Sequence, residues 1–78
     1  MSSNGTNKLV RMANQIADNF AYGEKSKAVD NVLDHLMRFW TNEMKRTIVE
    51  QQRSGDIGLN EIAAEAVQAL AKNIGQAA

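Results

Sequence analysis

The 78-residue chain has no cysteine and no proline, and carries one histidine, one tryptophan and one tyrosine. Each shortage removes a class of protein. Without cysteine there is no disulfide framework, no thiolate metal site and no sulfur nucleophile. Without proline, nothing forces a helix to stop early, and long helices are expected. The longest unbroken apolar runs are three residues (Phe20-Ala21-Tyr22, Ile62-Ala63-Ala64, Ala69-Leu70-Ala71), which argues against a membrane span and a membrane partner. The first 25 residues hold no apolar core of the secretion-signal type, so the cytoplasm is the expected compartment. Excess charge of one sign is also missing: nine Lys and Arg balance nine Asp and Glu. A surface built to hold phosphate backbones carries surplus cations, so no nucleic-acid partner is expected.

The present residues read as helices. Leu9, Met12, Ala13, Ile16, Ala17 and Phe20 recur at the i, i+3, i+4, i+7 spacing of a helical face. Thr6 or Asn7 can cap the start, and Gly23 suits a left-handed end. A second segment repeats the template with Val29, Val32, Leu33, Leu36, Met37 and Trp40, with Ser26 as its expected cap. With Ala28 and Phe39 its apolar arc spans about 180°, wider than the roughly 100° a surface helix needs. Such a helix is either central in the bundle or touches something besides its own chain. A third segment, capped by Thr41, has fewer large apolar residues: Met44, Ile48 and Val49. A fourth carries Leu59, Ile62, Ala63, Ala66, Val67, Leu70 and Ile74, between a cap at Asn60 and a close at Gly75. The expected fold class is all-α, a small bundle of three to four helices with short connections. Its expected organisation is a flexible tail at residues 1–6, one helical domain at 7–75 and a frayed end at 76–78.

Stability is expected to be marginal. Burying the apolar share of a chain this size contributes about 115 kcal/mol at about 25 cal/mol/Å². Ordering its residues costs about 117 kcal/mol. A partner surface would tip that balance.

No catalytic constellation is present, and no cofactor is expected in this chain. His35, the one histidine, lies about 40° from Phe39 at the rim of the apolar arc, where a boundary side chain packs its ring. No second His or Cys can join it as a ligand. The carboxylate pairs Asp30–Asp34 and Glu61–Glu65 read as solvated faces, Asp34 being one turn from Arg38. Gly55-Asp56-Ile57-Gly58 is no phosphate-cradling loop. The third helix, taken as a recognition helix, sets Lys45, Arg46 and Arg53 against Glu43 and Glu50, and Lys25 and Lys27 add little. A small DNA-binding or regulatory helical domain is therefore the alternative reading, and a small enzyme or carrier ranks below it. Two features exceed the ordinary. Phe39 and Trp40, followed by Met44, are residue types that anchor protein interfaces. Arg11, Asn14 and Asp18 fall on one side of the first helix and form either a solvated face or a polar strip against a partner.

Three stretches are also similar to a known family: Lys8-Leu9-Val10-Arg11-Met12-Ala13-Asn14-Gln15-Ile16-Ala17, then His35-Leu36-Met37-Arg38-Phe39-Trp40-Thr41-Asn42-Glu43-Met44, then Gly58-Leu59 with Glu65-Ala66-Val67. They resemble the delta subunit of bacterial NAD-dependent formate dehydrogenase. Where that family often has Asp-Pro-Arg between the tryptophan and the methionine, this chain has Thr41-Asn42-Glu43. The resemblance implies an accessory subunit that holds no redox centre and assists assembly or stability of a cytoplasmic oxidoreductase complex. In that complex the alpha subunit carries a molybdenum or tungsten pterin and iron–sulfur clusters, and other subunits carry flavin. The expected partner is the catalytic alpha subunit of formate dehydrogenase and its complex. Expected partner-binding residues are Arg11, Asn14, His35, Arg38, Phe39 and Trp40. In isolation, a second copy could cover the wide arc of the second helix, giving a homo-oligomer.

Overall fold

A computed structural model describes the backbone of residues 4–77 and the side chains of residues 8–74. Four helices follow one another: α1 (Asn4–Asn19), α2 (Lys25–Phe39), α3 (Asn42–Arg53) and α4 (Glu61–Ala77). No strand occurs among the described residues. The class is all-α, as the periodicity predicts. The Cα radius of gyration is 11.6 Å, against about 11.5 Å for a compact chain of this length.

The centre of the bundle is α4. It packs on all three other helices, most extensively on α2 and then on α3. Its inner face explains why. Ala63, Ala66, Val67 and Leu70 are fully buried, and the two alanines let neighbouring backbones approach closely. Ala13 and Ala17 of α1 are likewise fully buried in the shared core. Val32 and Leu36 of α2 and Ile48 and Val49 of α3 fill the remaining space with Trp40. The wide arc of α2 is therefore not the bundle's axis. Its middle packs on α4, and its two margins emerge at Met37 (43% exposed) and Phe39 (69% exposed).

The helix ends match the sequence in part. Thr41 Oγ1 accepts the Met44 backbone N–H at 3.1 Å, and Asn60 Oδ1 accepts that of Ala63 at 2.8 Å, so both are N-caps as expected. Ser26 is not one. α2 begins at Lys25 with Glu24 as its cap residue, and no side chain bonds the free N–H groups. Its first turn is held from outside by a lysine clamp described below. Thr6 and Asn7 lie inside α1, which starts at Asn4. Gly75 lies inside α4, which runs past it to Ala77. The helical backbone thus extends beyond both limits of the expected 7–75 domain, while the tail at residues 1–3 and the end at residue 78 lie outside the described residues. Gly23 does adopt a left-handed φ of 73°, but in the turn leading to α2. The last turn of α1 closes earlier, where the Phe20 N–H is shared by the Ile16 and Ala17 carbonyls at 3.2 and 3.1 Å.

The segment between α3 and α4 is fastened to α1. Asp56 Oδ1 accepts the Gly58 N–H at 3.0 Å, folding the segment into a tight turn. Asn14 Nδ2 donates to the Gly58 carbonyl at 2.9 Å, and Asn14 Oδ1 accepts the Asn60 N–H at 2.7 Å. One amide side chain thereby satisfies both a carbonyl and an N–H of a loop with no regular structure of its own.

Candidate protein-binding site

The described residues offer an aromatic row at the junction of α1 and α2. His35 and Phe39 are one helical turn apart on α2 and share a face. Their ring centroids are 4.7 Å apart at 44°. Phe20, just past the end of α1, meets His35 edge-on at 6.1 Å and 61°. Phe20 and His35 are half-buried, while Phe39 is largely exposed. The row is therefore preorganised on its inner side and open at its outer end. Tyr22, two residues beyond Phe20, is 79% exposed. Aromatic rings held in place by packing lose little freedom on binding, which is why they serve as anchors.

Charge borders this row. Arg38, adjacent to Phe39 in the chain, donates from Nε to Asp34 Oδ1 at 3.1 Å. Both side chains are well exposed, so the pair contributes little to stability. It ties the guanidinium to the preceding turn of α2.

The six expected contact residues do not form one surface. His35, Arg38 and Phe39 are neighbours at the end of α2. Trp40 is 6% exposed and belongs to the core. There it holds the bundle together beneath Phe39 and is not itself a surface anchor. Asn14 is committed to the chain's own loop, as described above. Asp18, on the same side of α1, approaches Asn60 Nδ2 at 3.4 Å. The supposed outward strip on α1 thus faces the α3–α4 segment, with Arg11 exposed at its edge.

Two arrangements have no counterpart in the sequence reading. Lys25 Nζ lies 2.5 Å from both Glu61 Oε2 and Glu65 Oε2, joining the start of α2 to the first turns of α4. The two glutamates are exposed, as expected of a solvated face, and also clamp Lys25. Hydrogen bonds to Glu61 and then Glu65 raise the Lys25 pKa above its ordinary value, and the bond to Lys25 lowers that of Glu61. The i, i+4 spacing of the acids was visible; the lysine 36 residues away was not. The second is Lys45 Nζ, which donates to the Met37 carbonyl at 3.3 Å, in the last turn of α2.

Among the described residues, no group of three or more His, Asp or Glu side chains is placed to hold a metal ion. No described helix is long and apolar enough to cross a membrane. Residues 8–67 match the family model for the NADH-dependent formate dehydrogenase delta subunit, FdsD. No curated protein and no solved structure matches the chain.

Proposed function

The chain belongs to the formate dehydrogenase delta subunit family, and we propose that it is a non-catalytic accessory subunit of a cytoplasmic molybdenum or tungsten formate dehydrogenase. A subunit implies partner subunits; the partner in this reading is the catalytic alpha subunit. The chain holds no cofactor of its own and acts by protein–protein contact. Binding only the assembled form, or a cofactor-loading intermediate, stabilises that form by mass action.

The observation that carries the reading is the open end of the aromatic row. Phe39 exposes a large apolar ring beside Arg38 and against His35, in a bundle that buries Trp40 one residue later. Phe39 and His35 supply the apolar anchor, Arg38 supplies a polar contact on the same helix, and Arg11 supplies one from the separate exposed edge of α1. Trp40 supports the surface from the core, while Asn14 fastens the α3–α4 segment. A tagged copy expressed at native level, purified from cell extract, should bring down the large catalytic subunit. Deleting the gene should lower the yield of assembled, active complex. An intact and fully active complex in the deletion strain, with no catalytic subunit on the tagged chain, would refute the proposal.

A further inference from the structure

The other margin of α2 opens on a separate surface. A groove of about 570 Å³ runs between the end of α2, the first half of α3 and the last turns of α4. Met37 and Ile74 line it with apolar surface above the fully buried Leu70, and Lys45 and Arg46 contribute its charges. Among the described residues, no acidic side chain lines it. Among the described residues the ion pairs form at Lys25 and Arg38, and none involves Lys45 or Arg46. Arg46 is exposed. Met37 and Phe39 lie about 160° apart around α2 at 100° per residue, so this groove and the aromatic row face different directions.

We infer that this groove receives a segment of another formate dehydrogenase subunit that carries an aliphatic or aromatic side chain flanked by one or more carboxylates. The inference rests on the accessory-subunit reading and adds the chemistry of a second contact. Charge complementarity selects the occupant. Two cations without a carboxylate partner, set beside an apolar lining, favour an anion on a segment that also buries apolar area. A basic or purely polar segment would leave Lys45 and Arg46 facing like charge or nothing. The groove lies open on the surface between helices, the form in which an amphipathic segment docks. Lys45 is already steered by its bond to the Met37 carbonyl, so its ammonium is held near the groove before anything binds.

The test uses the assembled complex, purified through a tag on this chain and treated with a water-soluble carbodiimide. The reagent joins an amine to a carboxylate in direct contact. Peptide mass spectrometry should find Lys45 coupled to an Asp or Glu of another formate dehydrogenase subunit. In parallel, Arg46→Glu should reduce recovery of those subunits about tenfold, the change worth about 1.4 kcal/mol of binding, while circular dichroism shows an unchanged melt. Undiminished recovery with Arg46→Glu and no coupling at Lys45 overturns the groove and leaves the accessory reading standing. Coupling of Lys45 to a second copy of this chain overturns it in favour of self-association. Failure of the unmodified chain to recover any formate dehydrogenase subunit removes the accessory reading, and this inference with it.

Discussion

Asn14 accepts the backbone N–H of Asn60 at 2.7 Å across 46 positions of sequence. The same amide donates to the Gly58 carbonyl, so α1 reads the backbone of the segment that launches α4. Replacing it by leucine strips partners from the part-buried Asn60 N–H and the exposed Gly58 carbonyl at once. Asn14→Leu should lose about 1–3 kcal/mol of stability, measured by urea unfolding. Asn14→Asp should also destabilise, because an acceptor would replace the donor facing the Gly58 carbonyl.

The adjacent aromatics of α2 should separate cleanly. Trp40→Ala opens the core and should cost about 3–5 kcal/mol, read by far-UV circular dichroism during denaturation. Phe39→Ala should change stability by about 0.5 kcal/mol or less, yet lower recovery of the catalytic subunit. Equal loss of fold in both variants would move Phe39 from the surface to the core.

The lysine clamp predicts a pH window. Glu61 has its carboxyl pKa lowered by Lys25, so its contribution is present above the ordinary value of 4.5 and is lost as pH falls through the folded value. Lys25 has its pKa raised, so its contribution is full below 10.5 and is lost as pH rises through the folded value. The difference in melting temperature between wild type and Lys25→Met should therefore be greatest between these limits and shrink outside them. It should also shrink with added salt, since the groups are exposed and screened.

Asn42 is the first residue of α3, where a backbone N–H has no acceptor within the helix. Thr41 before it is extended, with φ −67° and ψ 161°, the conformation a following proline requires. Asn42→Pro should thus be tolerated and stabilise by about 0.4–1 kcal/mol through the unfolded state. A fall in melting temperature would mean that the Asn42 side chain or N–H is used.

Local chemistry was legible in the sequence. Thr41 and Asn60 announce helix starts because capping involves residues three positions apart. The buried faces of α2, α3 and α4 follow from the 3.6-residue repeat, whereas on α1 the repeat finds Ala13 and Ala17 but misses the buried Val10. What was hidden depends on distance along the chain. Nothing local to Lys25 points to Glu61, and nothing local to Asn14 points to Gly58. The choice of α4 over α2 as the axis was hidden for a related reason. Arc width counts apolar residues, whereas close packing favours small ones such as Ala63 and Ala66. The wheel did place His35 and Phe39 together, and the structure keeps them in contact. Asn14 sat on the polar side of its own helix, and only the fold turns that side towards a loop.

The order in which the helices emerge during synthesis has a consequence for when this protein can act. The element against which α1, α2 and α3 all pack is the fourth to appear. Until it is made, Val32, Leu36 and Ile48 lack the α4 side chains with which they share a core, and a partner met at that moment would encounter an unfinished surface. The core shared by all four helices therefore closes only when α4 is complete, and the last stretch to be translated decides when the bundle is finished.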